Sequence, residues 1–261
     1  MLNFPISHIP QRSEKERDKG LTMMMDKGLS LKEAEHFSDA ASDYTDLVKL
    51  GFGTALITSQ LKEKINIYKS AGMRVYFGGT LFEMFAVRDE LDHYKRFLDQ
   101  FEVETVEVSD GSIKMEHEEK LNIIADLSRD RTVLSEVGTK VKGLVIPNDV
   151  WVQNMKSELD AGSWKVIAEA RESGTIGIYN ADGTANKDLI DAIMKQISVD
   201  DVIWEAPNKA QQVLFIKLVG ANVSLGNIAP HEVVALEALR CGMRGDTFFD
   251  YLPDQLQNRK L

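Results

Sequence analysis

Val133-Leu134-Ser135-Glu136-Val137-Gly138 decides the fold: a short apolar run, too short for a helix, that ends in a carboxylate followed closely by glycine. The same design, an apolar run ending in a charged residue, recurs on either side, except that the third and eighth runs end without a charge. Upstream stand Met25-Asp26-Lys27-Gly28, Val48-Lys49-Leu50-Gly51, Tyr76-Phe77-Gly78-Gly79 and Val106-Glu107-Val108-Ser109-Asp110. Downstream follow Ala168-Glu169-Ala170-Arg171, Trp204-Glu205-Ala206-Pro207 and Leu225-Gly226-Asn227. Helix-length amphipathic segments separate most of them. A strand covered on both faces has no place for acids and lysines except where it runs out into a ligand site. Eight strand-helix units with polar strand ends predict a single-domain α/β protein, a (β/α)8 TIM barrel with its site on the C-terminal face.

The expected boundaries are an irregular lead-in over 1–20 that caps the barrel bottom, the barrel over 21–250, and a loose polar tail over 251–261. Strands are predicted at 21–26, 46–50, 74–77, 104–108, 132–137, 165–169, 202–205 and 222–226. Ser30 and Glu33 have capping-box spacing, as do Thr80 and Glu83, and Asn208 and Gln211. The second of these opens a long helix from 80 to about 101, with Thr80 and Glu83 read as its cap. Asn148 or Asp149 caps the helix that Gly162 ends.

Composition narrows the function. The chain has 261 residues, 43% of them hydrophobic, which suits one barrel. Its formal charge of -10 argues against nucleic acid and against an anionic membrane surface. No apolar run approaches the roughly 18 residues of a membrane helix. Residues 1–20 show no signal-peptide core, and the single cysteine, Cys241, suits a reducing cytoplasm. The outer helices have apolar positions to spare, which allows a homo-oligomer.

Glu107, Glu136, Glu169 and Glu205 close four consecutive strands. Hard oxygen donors on neighbouring strand ends are what Mg²⁺ requires; the alternative is that some are ion-paired across the barrel mouth. Lys27, Lys49, Lys140 and Arg171 lie at or just beyond strand ends, where they can grip anions or move a proton. Lys27 and Lys140 follow their strands and read equally as exposed loop lysines. Gly79, at the opening of the third helical segment, and Gly226 with Asn227 offer backbone N–H groups to an anion. The five histidines fall in the lead-in or on helices, so neither histidine-bound zinc nor a Ser-His-Asp triad is expected. There is no Walker or GxGxxG phosphate loop.

Taken with Gly78-Gly79-Thr80-Leu81-Phe82-Glu83, Glu136-Val137-Gly138-Thr139-Lys140, Glu169-Ala170-Arg171-Glu172-Ser173-Gly174, Glu205-Ala206-Pro207-Asn208-Lys209 and Arg244-Gly245-Asp246-Thr247-Phe248, these blocks resemble the phosphosulfolactate synthase family. The match runs in family order over about residues 20 to 249. The resemblance implies a carbon-sulfur lyase that uses Mg²⁺ to add sulfite to phosphoenolpyruvate, giving (2R)-phospho-3-sulfolactate, a step toward coenzyme M or sulfolactate. Charge builds up on the substrate as an aci-carboxylate, and an acid protonates its second carbon. By the same resemblance Lys140 is that acid. Glu136 and Glu169 contact the metal, with Glu107 and Glu205 as further candidates. Lys27, Lys49 and Arg171 hold phosphate, carboxylate and sulfite. The family also takes in plant heat-stress-associated proteins. A non-catalytic barrel, and an enzyme adding another nucleophile to phosphoenolpyruvate, therefore stand as alternatives.

Overall fold

The computed structural model describes residues 3–139, 146–171 and 173–260. Eight parallel strands form one sheet: β1 Thr22–Asp26, β2 Leu47–Leu50, β3 Arg74–Phe77, β4 Thr105–Ser109, β5 Thr132–Val137, β6 Lys165–Ala168, β7 Val202–Glu205 and β8 Leu225–Ile228. Helices α1 Leu31–Ala41, α2 Leu61–Ser70, α3 Gly79–Ala86, α4 Leu91–Gln100, α5 His117–Leu127, α6 Asn148–Asp160, α7 Lys187–Met194, α8 Lys209–Val219 and α9 Val233–Arg240 alternate with them, and α10 Asp254–Gln257 lies in the tail. The ladder order is β3-β2-β1-β8-β7-β6-β5-β4. β3 and β4 pack side by side at the seam and complete a TIM barrel.

Side-chain parity divides each strand between two environments, because successive residues point to opposite faces. Met24, Val48, Phe77, Val106, Val133, Val166 and Trp204 face outward into the helix layer. Leu21, Met23, Leu47, Tyr76, Leu134, Ile167 and Ile203 fill the barrel as an apolar plug. Two residues beyond Leu47, Leu134, Ile167 and Ile203, on the same inward face, come Lys49, Glu136, Glu169 and Glu205. The barrel interior therefore changes from apolar to charged within one strand repeat. Below the plug, Trp164 is covered by Arg74, whose guanidinium lies 4.7 Å from the ring centroid.

The described part of the lead-in, 3–20, has no helix or strand and is tied to the bottom by its cations. Lys15 Nζ donates to the Ser42 and Thr45 carbonyls at 2.6 and 2.8 Å. Arg12 donates to the Ala221 carbonyl at 2.8 Å and to the Asn222 side chain. This contact accounts for one correction. The eighth strand starts at Leu225 and not at Asn222, because Asn222 bonds the lead-in at Gln11 and Ser13.

Other expectations are corrected locally. The helix expected over 80–101 is two helices. Asp89 takes a left-handed φ of 57°, and Glu90 N closes back on the Phe85 carbonyl at 3.0 Å. The break lets both pieces bring aromatic rings to one cluster, with Phe85 and Tyr94 at 5.5 Å and Phe77 and Phe97 at 5.0 Å. Arg88-Asp89-Glu90 holds no glycine or proline to announce it. Thr80 and Glu83 do not cap α3, whose N-cap is Gly78 without a side-chain bond. The Ser30–Glu33 box does form. Pro147, not Asn148 or Asp149, occupies the N-cap of α6. The tail from Asp254, expected to be loose, starts with the short helix α10 after Pro253. Among the described residues no helix is long and apolar enough to cross a membrane.

Arg240 is fully buried at the bottom and donates to three main-chain carbonyls, those of Ala221, Val223 and Leu21. Arg240→Met removes a buried donor from all three. The Val223 carbonyl has no other donor among the described residues, whereas Ala221 keeps Arg12 and Leu21 keeps the Leu225 amide. We expect a loss of about 1–3 kcal/mol in urea denaturation. The barrel mouth and any ligand affinity there should be unaffected.

Candidate active site

The charged layer sits where the strands end. Lys49 Nζ lies 2.9 Å from Glu107, 3.2 Å from Glu136 and 3.5 Å from Glu205. Burial works against the ammonium, but Glu107, Glu136 and Glu205 outweigh it and hold Lys49 well above the ordinary lysine pKa. Lys49 is thus a fixed cation whose donors face carboxylates. Tyr76, its neighbour in register, is pushed up by burial and then by Glu107, so its phenol stays neutral.

Each acid is held differently. Glu107 Oε1 accepts the Gly79 amide at 2.5 Å, at the start of α3 and across the seam. The N–H expected to meet an anion at Gly79 thus meets one of the protein's own. A Cβ on Gly79 would come within 2.4 Å of Ser109 Cβ, so glycine is needed for this approach. Glu136 Oε1 lies 2.8 Å from the Ser109 hydroxyl, which is also 2.8 Å from Glu83. Glu83, read from sequence as a cap, instead braces the β4 end and accepts Ser112 N at 3.2 Å. Glu205 accepts the Ala170 amide at 2.7 Å. Burial pushes the Glu205 carboxyl up to about 8 although Lys49 pulls it down.

Glu136, Glu169 and Glu205 each bring one oxygen into a cluster within 4.8 Å, all three buried. Three convergent hard oxygen donors are able to hold a metal ion. Glu107 lies outside this triad. The cavity above it is lined by Lys49, Gly79, Glu107, Glu136, Glu169, Arg171, Glu205 and Asn227, with Phe52, Ser112 and Ser173 at the rim. Arg171 is exposed and, among the described residues, makes no ion pair. Lys27 is exposed on the loop after β1 and does not line the cavity. Its neighbour Asp26 is buried, bonded to Lys64 and Tyr68 behind the strand. Lys140 lies outside the described residues.

Gly226 faces the barrel interior, where a Cβ would meet Met23 Cε at 2.6 Å. Asn227 has a left-handed φ of 57°. Its Nδ2 donates to the Ala170 carbonyl at 2.9 Å, which leaves buried Oδ1 as an acceptor with no hydrogen-bond partner among the described residues. The loop after Glu169 is built onto the site. Gly177 packs so closely on Glu169 that a Cβ would lie 1.9 Å from its carbonyl oxygen, and Tyr179 donates to the Glu205 carbonyl at 2.8 Å. The sequence reading took Glu83 for a helix cap and missed Ser109, Tyr76 and Tyr179. Only Ser109 carried a signal, as a polar residue at the end of an apolar run.

The model of the (2R)-phospho-3-sulfolactate synthase family (ComA) matches residues 10–246. The chain belongs to this family. It is 41% identical to the phosphosulfolactate synthase of Bacillus subtilis (strain 168) over 247 residues, covering 92% of this chain and 97% of that one. It is 42% identical to the phosphosulfolactate synthase of Methanocaldococcus jannaschii over 238 residues, covering 88% and 94%. Among solved structures, 3-keto-L-gulonate-6-phosphate decarboxylase from Vibrio cholerae aligns at TM-score 0.53 and 12% identity, covering 90% of this chain and 100% of that one, a likeness of fold alone.

Lys49→Met removes the ammonium from among three buried carboxylates. We expect about 3–5 kcal/mol of destabilisation at neutral pH in urea melts, shrinking at acid pH as the acids protonate and partly reversed by a divalent cation. Glu205 supplies a second test. Its folded pKa lies above the ordinary 4.5, so the folded protein binds the extra proton. The stability it contributes is fully present below about 4.5 and is lost as pH rises through about 8. The difference between wild type and Glu205→Gln in metal-free urea melts should decline across that window.

Proposed function

We propose that this chain is a phosphosulfolactate synthase, a carbon-sulfur lyase that adds sulfite to phosphoenolpyruvate with Mg²⁺ as its metal. The observation that carries this reading is the Glu136–Glu169–Glu205 triad at the floor of a cavity that Arg171 overlooks, in a member of this family. All-carboxylate oxygen donors favour Mg²⁺ over softer metals. When bound, the metal would supply positive charge opposite the carboxylate side of the enol.

The protein's own groups do the rest. Glu136, Glu169 and Glu205 would hold the cation, and Lys49, paired with Glu107 at 2.9 Å, would then offer its remaining donors to a substrate anion. Arg171 at the rim offers a planar fork to phosphate or sulfite. Asn227 and Gly79 shape the wall, and Lys27, exposed on the loop after β1, is the further cation offered to an incoming anion. The sulfite lone pair forms the carbon-sulfur bond at the enol methylene. The enol electrons move toward the carboxylate as an aci-carboxylate, and their return takes a proton to the second carbon from Lys140, which gives it from one face. No bond to phosphate breaks, so the phosphoryl group is retained in the product. Both substrates are small anions, and the reading carries no nucleic acid or membrane partner and a cytoplasmic setting.

The purified protein mixed with phosphoenolpyruvate, sulfite and Mg²⁺ should lose the enol's ultraviolet absorbance, and omission of sulfite or addition of chelator should stop the loss. Lys140→Ala should lower kcat by about 10²–10⁴ with a folded barrel and little change in KM, the signature of a missing general acid. Normal turnover in that variant removes Lys140 from the role. No absorbance loss in folded wild type overturns the synthase reading.

A further inference from the structure

Helix α5 packs against the barrel through Lys120, Ile124 and Leu127. The first of these breaks the apolar stripe with a charge. Lys120 is 1% exposed, on a helix face whose other buried residues, Ile124 and Leu127, are aliphatic. Its ammonium makes three contacts. Nζ donates to the main-chain carbonyl of Glu136 at 2.7 Å, to Asp110 Oδ1 at 2.8 Å, and lies 2.8 Å from Glu158 Oε1. Glu158, on α6, is fully buried, and His117 lies beside it with Nδ1 3.9 Å from Oε1.

A buried ion pair is a poor way to stabilise a helix-sheet interface, since apolar groups of the same volume do as well or better. What this pair adds is geometry. Glu158 anchors the ammonium from the helix side. The ammonium then fixes the Glu136 carbonyl and Asp110, the residue after the β4 end at Ser109. From inside the barrel, Ser109 touches the Glu136 carboxylate at 2.8 Å. Glu136 is thereby held twice, at its main chain from behind and at its side chain from the front.

We propose that Lys120 is a positioning residue for the metal site: it sets the height and rotation of the β5 end so that the Glu136 carboxylate meets those of Glu169 and Glu205. The inference rests on the metal reading given above, and its test needs no turnover, so a failed sulfite reaction does not touch it. Free Mn²⁺, a spectroscopic substitute for Mg²⁺ at oxygen sites, is titrated into the protein and followed by electron paramagnetic resonance. The double variant Lys120→Met with Glu158→Leu removes both charges and leaves an apolar interface. It should fold and bind Mn²⁺ about 10–100-fold more weakly than wild type, the usual effect of losing a group that orients a ligand. If the apolar pair does not fold, Lys120→Met with Glu158→Gln, which removes the donor to the Glu136 carbonyl and keeps the shape at 158 without charge, should show the same loss. Arg240→Met, destabilised at the far end of the barrel, should keep wild-type Mn²⁺ affinity, which separates positioning from general loosening. A folded double variant with wild-type Mn²⁺ affinity overturns the proposal. Wild-type protein that binds no Mn²⁺ overturns it together with the metal site.

Discussion

Lys49, next to last in β2, sits inside the barrel with carboxylates on three sides, and the architecture of the mouth follows from that charge. Acids converging in a space closed below by Leu134, Ile167 and Ile203 would repel one another and take up protons. One ammonium reaching across from β2 draws together Glu107 of β4, Glu136 of β5 and Glu205 of β7. It therefore links β2 to three strands with which it shares no ladder. The seam between β3 and β4 is completed in the same way, by the Gly79 amide on Glu107.

Around this centre the protein supports its acids from outside as well as inside. Ser109, Glu83 and the Ala170 amide hold carboxylates at the mouth. Lys120 with Glu158 holds the β5 end from behind. Lys64 does the same at β1, where it meets Asp26 from the buried face of α2. Two lysines on apolar helix stripes reaching strand ends show a common solution. Loops that carry a polar site need anchoring, and a long side chain from the neighbouring helix supplies it without opening the core to water.

The polar layer also defines what the site can do. It combines oxygen donors able to hold a cation with a rim arginine and a fixed internal ammonium. That combination suits an anionic substrate whose negative charge increases on one side during reaction. The opposite end of the barrel has the reverse character: Arg12, Arg17 and Arg240 are spent on main-chain carbonyls and on acids of the frame, and Trp164 and the lead-in close it.

Much of this was legible in the residues. The eight apolar runs with polar ends determined the barrel, and the two-residue step from Leu134 to Glu136, from Ile167 to Glu169 and from Ile203 to Glu205 determined which acids face inward, because strand parity is a local property of the chain. Where the site departed from expectation, the cause was long-range. Glu83 has the spacing of a cap, yet its partners Ser109 and Ser112 come from the next strand and loop. Asn222 reads as strand until the lead-in claims its side chain, and Asp89 turns the chain with no glycine to mark it. Lys120 and Lys64 look like surface lysines on amphipathic helices. The sequence by itself determined the strand-helix repeat and the chemical inventory of the mouth. Only the tertiary structure decided which acids share an ammonium, which three converge, and which charges serve as supports, since those depend on distances between strands that no local pattern encodes.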